Sequence, residues 1–460
     1  MPSSEEDKPP LSSVRAVVLA AGKSTRMKSK TPKVLHALRG KRLIDHCIST
    51  AVAATARKPV VVIGHAAEDM RVAMGDRADS ILQTHQLGTG HAVLMAEPVL
   101  AGNTQQVLVT YADMPLIRPE TLRALIEQHA QTRAAITMLT LIVDNPRGFG
   151  RIVRDGQGRV TAIVEEVACT PAQLQLKELN PGVYCFDGTW LWNALRRIQP
   201  NPVKGEYFLT DLVEIAVADG REVNTTVVTD SDELIGINTR VDLADADVAL
   251  RKRINCRHML NGVSIVDPAT TYIDADVEIG LDSRIEPNTH VLGGTRIGED
   301  CVIGPNSILE HATIGRRVHI RQSVIRDSQV DDAADVGPFS HLRNGAHVCE
   351  GAHVGNFGEI KKSRLGKRSK MGHFSYLGDA TVGEDANLGA GMITANYDGV
   401  NKHATEIGDG AFIGSDTILR APVRVGDGAR TGAGSVVTKN VPDGSLAVGV
   451  PARVIRRAAG

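Results

Sequence analysis

The chain has 460 residues, 52 Lys and Arg against 53 Asp and Glu, and only 3% aromatic side chains. It is too long for a single ordinary core, and its balanced charge argues against a dedicated nucleic-acid or membrane binder. Forty-five glycines beside so few large rings suit a tightly turning architecture, and six scattered cysteines (47, 169, 185, 256, 301, 349) without a C-x-x-C pair read as reduced thiols, buried rather than metal-bound.

The opening residues, MPSSEEDKPPLSS, are polar and acidic and have no apolar centre, so residues 1–13 are expected to be a disordered tail and not a signal peptide. No run approaches the roughly 20 apolar residues of a membrane span, and a cytoplasmic protein is expected. The stretch VRAVVLAAGKSTRMKSKTPK then begins as a buried strand and ends as a basic loop. Its GKST imitates the end of a P-loop, but Val17 stands where that pattern needs its first glycine, inside the apolar run. What remains is Gly22, which permits close backbone approach to an anion, and a loop carrying Lys23, Arg26, Lys28, Lys30 and Lys33. Such a loop suits phosphoryl-type transfer, in which positioning and charge neutralisation dominate; the alternative is a solvated cationic surface.

From residue 14 to about 240, β-branched runs (RAVVLA, KPVVVIG, QQVLVTYAD, AITMLTLIV) alternate with helical patterns such as RLIDHCISTAVAATA and PETLRALIEQHAQT. This alternation implies a mostly parallel, doubly wound, Rossmann-like sheet, with ligands beyond the carboxyl ends of its strands. The loop after Leu19 and the carboxylate of Asp113 both fall at such ends. Residues 240–261 read as a linker helix, and 262–460 follow another rule. Aliphatic residues recur every six positions from Ile273 to Leu309, again from Val330 to Ile360, and again from Ile407 to Val425. That period marks a parallel β-helix. It breaks at TANYDGVNKHAT (394–405), and an insertion in a solenoid usually maps to one face, often the binding face. Six of the ten residues from 361 to 370 are Lys or Arg, enough to attract a phosphate, although such a run is also a common solvated face. Just beyond it lies His373, whose ordinary pKa near 6.5 suits a general base. No His/Asp cluster has the spacing of a metal-dependent hydrolase.

Leu19, Gly22, Arg26, Met27, Pro32 and Lys33 stand in the register of L-x-A-G-x-x-x-R-M-x(5)-P-K, and QLGTGHA, YADMPL, GFGRIV, IVEE, LNPG and GINTR follow in order. Together they resemble sugar-phosphate nucleotidyltransferases. In the second half GPFSHLRNGA, GNFGEIKKSRLGKRSKMGHFSYLGDA and NLGAGMITANYDG resemble hexapeptide acetyltransferases with a left-handed β-helix. The combination, over nearly all of residues 14–450, is similar to the bifunctional N-acetylglucosamine-1-phosphate uridylyltransferase and glucosamine-1-phosphate N-acetyltransferase family. The resemblance makes 14–239 the uridylyltransferase domain and 262–460 the acetyltransferase domain. It implies acetylation of glucosamine 1-phosphate by acetyl-coenzyme A, then uridylyl transfer from UTP to give UDP-N-acetylglucosamine.

The resemblance also implies site residues. The nucleotide would lie on Leu19, Ala20, Ala21, Gly22, Tyr111 and Ala112, with uracil around Gln83, Gly88 and Thr89. The sugar would lie near Gly150, Glu165 and Asn180, Mg²⁺ on Asp113 and Asn238, and Arg26 and Lys33 at the reacting phosphates. In the other half His373 would be the base, with Glu359 orienting it, while Arg343, Lys361, Tyr376 and Asn387 hold the amino-sugar phosphate. Ala390, Asn396, Tyr397, Ser415 and Ala433 would line the acetyl-coenzyme A site, Arg453 substituting for an arginine absent from its usual place. A homotrimer is implied by the same family. Ala112, Val167, Pro181 and Asn344 depart from its pattern. Two other readings fit parts of the chain: a single-function nucleotidyltransferase with a structural β-helix, and a non-enzymatic regulatory subunit, which would be free to lose Lys33, Asp113 or Asn238.

Overall fold

The computed structural model describes residues 14–22, 25–144, 148–202 and 205–456; the expected tail and Lys23 lie outside the described residues. The strand Val14–Ala20, almost wholly buried, runs parallel to both of its neighbours, Val60–Ile63 and Gln106–Tyr111. Asp79–Leu82 continues the sheet on the first side. The chain therefore builds outward on one flank of the first strand and returns on the other, which opens a crevice at that strand's carboxyl end.

Beyond these four strands the expected parallel order gives way. Tyr184–Asp187 is antiparallel to both Gln106–Tyr111 and Ile136–Ile142. Glu178–Asn180, Gly150–Arg154 and Val160–Val164 form an antiparallel extension. The connection from Arg154 to Val160 is a tight turn around Gly158, far too short for the crossover that parallel strands need. Helices Leu43–Thr55 and Pro119–Thr132 pack on one face of the sheet, and Thr89–Leu94, Gly188–Leu195 and Leu212–Ala218 on the other.

The chain separates into two compact units between Ala249 and Leu250, inside the helix Arg240–Leu260. The second unit is a left-handed parallel β-helix whose coils are built from short strands on three faces. Ile273, Val291, Leu309, Ile325, Leu342 and Ile360 stack inward on one face and are almost completely buried. The interruption of the six-residue count after Leu309 has a simple structural cause. Ile314, Ile325 and Val330 are also inward, so some sides of the coil are one residue shorter while the stack continues. At the break over 394–405 Thr394 keeps the inward position, its hydroxyl accepting from Gly378 N at 2.8 Å, and the excursion is confined to 396–404.

Candidate active sites

At the crevice of the first unit lies a cavity of about 520 Å³. Leu19, Ala20, Ala21 and Gly22 line it from the end of the first strand, with Arg26 and Lys33 from the basic loop. Gln83, Gly88, Thr89, Tyr111, Asp113 and Asn238, all expected here, line it as well. Lys33 Nζ bridges Asp113 Oδ2 at 2.6 Å and Asn238 Oδ1 at 3.1 Å, and Arg26 Nη2 reaches the same Asn238 oxygen at 2.9 Å. Asp113 and Asn238, 125 positions apart in sequence, thus present their oxygens to the same ammonium because Asp113 follows the strand Gln106–Tyr111 and Asn238 precedes the helix Arg240–Leu260, with Ile237 N donating to Asp113 O.

Gln83 is buried and its amide donates to Gly88 O at 3.2 Å. Gly88 has φ +104°, and a Cβ there would stand 2.5 Å from Tyr207 O, so the turn accepts only glycine. A second cavity, of about 500 Å³, shares Arg26, Thr89 and Tyr111 with the first and adds Gly150, Glu165 and Asn180. Asn180 donates to Tyr184 Oη at 2.7 Å and accepts from Gly182 N at 3.1 Å, which fixes its amide. Burial, with the Asp113 and Glu165 carboxylates, keeps the Tyr111 hydroxyl protonated. The departures Val167 and Pro181 both line this second cavity.

Ala112 is the exception. Its methyl is completely buried in the core that contains Ile44, Leu108 and Met114, because strand alternation turns it away from Tyr111 and the cleft. Only its backbone contributes there, through Ala112 N to Leu19 O at 3.0 Å. Glu206 and Phe208 line the first cavity but carry no motif that would have marked them.

On the β-helix, Arg343 pairs in register with Lys361, and Glu359 with Tyr376. His373 ends the preceding face of the same coil as Tyr376. The orienting role expected of Glu359 is not what the side chains make: its carboxylate accepts from Arg343 Nε at 2.8 Å and Nη2 at 2.6 Å. The ring of His373 is instead bonded to Asn356 Oδ1, 2.9 Å from Nδ1, because Asn356 is its register partner and Glu359 lies past the corner. Asn387 pairs with Lys370 in the adjoining strands of His373's face.

The insertion supplies a residue that sequence reading missed. Lys402 lies against Lys361, and the two ammonium groups, with Arg343 nearby and Asp379 opposing, hold the Lys361 pKa below the ordinary lysine range. Asn396 donates to Asp379, and Tyr397 bridges to Lys402 across the loop. Ala390, Ser415 and Ala433 occupy equivalent corners of successive coils: Asp416 N donates to Ala390 O, and Gly434 N to Ser415 O. Arg453, exposed on the last strand, donates to Ala452 O at 3.2 Å. Asn344 has φ +54°, which the proline usual at this position could not adopt, so the backbone beside Arg343 differs from that pattern.

A nucleotide-sized crevice with a basic strand-end loop, followed in the chain by a hexapeptide β-helix that carries His373 and the Lys361–Lys402 pair, defines a two-domain transferase. Residues 16–148 match the MobA-like NTP transferase domain, and 276–311 and 404–439 match the bacterial transferase hexapeptide. The chain is 47% identical over 433 residues to the bifunctional protein GlmU of Exiguobacterium sibiricum, covering 94% of this chain and 96% of that protein. The corresponding protein of Heliobacterium modesticaldum is 49% identical over 433 residues, 94% of each. That of Streptococcus agalactiae serotype V is 46% identical over 434 residues, 94% of this chain and 95% of that one. The chain belongs to this bifunctional family of uridylyltransferases and acetyltransferases that make UDP-N-acetylglucosamine. Among the described residues no helix is long and apolar enough to cross a membrane.

Proposed function

We propose that the two clusters carry the two reactions separately, acetyl transfer at His373 and uridylyl transfer at Lys33, Asp113 and Asn238. The domain limits follow: 14–239 for uridylyl transfer, 240–261 as connecting helix, and 262–460 for acetyl transfer. In the first reaction the amine of glucosamine 1-phosphate attacks the thioester carbonyl of acetyl-coenzyme A, the carbon–sulfur bond breaks, and His373 Nε2 takes the amine proton. Arg343, Lys361 and Lys402 would hold the phosphate, with Tyr376 and Asn387 beside it. Ala390, Asn396, Tyr397, Ser415, Ala433 and Arg453 would receive the coenzyme.

In the second reaction a phosphate oxygen of N-acetylglucosamine 1-phosphate attacks the α-phosphorus of UTP and pyrophosphate leaves. Arg26 and Lys33 stabilise charge at the phosphates, Gln83, Gly88 and Thr89 receive the uracil, and Gly150, Glu165 and Asn180 the sugar. Asp113 and Asn238 would hold Mg²⁺. Their hard oxygens already share one cation, Lys33 Nζ, and this donor set fits Mg²⁺ bound by one or two protein ligands together with phosphates. When bound, the ion supplies charge neutralisation at the phosphate oxygens.

The observation that carries the reading is the convergence of Lys33, Asp113 and Asn238 in one crevice, together with a β-helix that carries His373 on Asn356 and the Lys361–Lys402 pair. Release of free coenzyme A and of pyrophosphate, followed with glucosamine 1-phosphate, acetyl-coenzyme A, UTP and Mg²⁺, tests it. His373→Ala should stop only the first and Asp113→Ala only the second. Joint loss in a folded variant would sink the two-site reading. A homotrimer assembled through the β-helix and a cytoplasmic location complete the proposal.

A further inference from the structure

On the face of the β-helix that begins with Glu278–Ile279, the residue after each inward aliphatic side chain is glycine in most coils, as at Gly298, Gly315, Gly366 and Gly383. A Cβ at these four would meet the next coil at 2.6, 2.4, 2.0 and 2.2 Å, so the column ordinarily excludes side chains. Two adjacent coils break it. Asp331 follows Val330, and Cys349 follows Val348, its register partner. His347, the residue before Val348, joins them.

His347 Nε2 lies 2.8 Å from Asp331 Oδ2 and 3.8 Å from Cys349 Sγ, and the three potential ligand atoms fall within 4.8 Å of one another. In a nucleophilic Cys–His–Asp relay the thiol and the carboxylate engage opposite ring nitrogens. Here both approach the same nitrogen, an arrangement that cannot relay a proton and instead converges on a point. We propose that Asp331, His347 and Cys349 bind a divalent transition metal of the zinc class, on a different face of the β-helix from Arg343, Glu359 and Lys361. One carboxylate, one imidazole and one thiolate form a borderline-soft set that suits zinc and not magnesium. Cys349 is buried and the other two are half-buried, so the site is open on one side. A cavity of about 370 Å³, which Asp331 lines with Gln329, Glu350 and Lys367, leaves room for a fourth ligand. The Cys349 thiol gives up its proton to solvent as the metal–sulfur bond forms.

The full-length protein, equilibrated with Zn²⁺ and desalted, should retain one zinc per chain by elemental mass spectrometry. With Co²⁺ it should show thiolate-to-metal charge-transfer absorption in the near ultraviolet. Cys349→Ser should lose both the absorption and the zinc, and His347→Gln should weaken retention by about tenfold or more. The oxygen donors of Asp113 and Asn238 cannot produce a thiolate band, so Co²⁺ bound there does not confuse the readout. Circular dichroism of each variant separates metal loss from unfolding, and Asp331→Asn provides a second conservative test of retention. Negligible zinc in the parent protein, or a band that survives in folded Cys349→Ser, overturns the proposal.

Discussion

His373 Nδ1 stands 2.9 Å from Asn356 Oδ1 in the neighbouring coil. An amide oxygen can only accept, so Nδ1 carries the hydrogen and Nε2 keeps its lone pair. If His373 is the base proposed above, Asn356 is a positioning residue that selects its basic nitrogen. Losing one neutral hydrogen bond of about 1 kcal/mol should lower kcat for acetyl transfer about fivefold in Asn356→Ala, with KM little changed. His373→Ala should cost roughly 10²–10⁴. Steady-state release of coenzyme A distinguishes the two; an unaltered kcat in Asn356→Ala would remove that residue from the site.

Lys33 holds the two oxygens proposed for Mg²⁺, so the ammonium competes with the ion in the free enzyme. Replacing Lys33 with Ala should therefore tighten Mn²⁺ binding in the absence of nucleotide, measured by electron paramagnetic resonance, while uridylyl transfer slows. Weaker Mn²⁺ binding in this variant would contradict the shared site.

The Lys361–Lys402 pair predicts a pH effect on glucosamine 1-phosphate binding. The Lys402 ammonium lowers the Lys361 pKa, so the protonated pair that attracts phosphate is lost earlier than usual as pH rises. Lys402→Met should raise the Lys361 pKa and move that loss to higher pH. It should also weaken binding by about tenfold or more, one charge-assisted hydrogen bond being worth about 1.5–3 kcal/mol. Affinity measured by calorimetry across the alkaline range checks both effects, and an unmoved pH profile counts against the pairing.

Gly182 has φ +88°, and a Cβ there would lie 2.7 Å from the Tyr111 ring. Gly182→Ala should destabilise the first unit by about 1–3 kcal/mol through overpacking and strain. It should impair uridylyl transfer and leave acetyl transfer near its parental rate. Denaturant unfolding with both assays tests this.

Burial, then the Glu214 and Glu165 carboxylates, push the Asp211 pKa up from 3.8 to about 6. The folded state therefore binds more protons here than the unfolded state does, and this contribution to stability is lost as pH rises through about 6. Asp211→Asn removes that dependence. Its Tm relative to the parent should climb between pH 4 and 6 and level off above, by thermal unfolding in a pH series. A constant difference would show that Asp211 does not titrate in this window.

The sequence by itself determined the two periods, and with them the two architectures. Alternating β-branched and amphipathic runs must bury a sheet between helices, and a six-residue aliphatic step can close only as stacked coils. Motif register also determined most of the crevice, because Gly22, Arg26, Lys33 and Asp113 belong to strand ends that sheet topology gathers at one edge. What the tertiary structure alone decided were contacts made between coils or across long chain separations. Asn356 stands inside a motif that assigned it no role, yet coil register sets it against His373 and leaves Glu359 to Arg343. Lys402 reaches Lys361 only because the insertion folds back on its own coil, and Ala112 is lost to the core because side chains alternate along a strand. Asp331 and Cys349 are 18 positions apart and become neighbours only because one coil brings the chain back beneath itself.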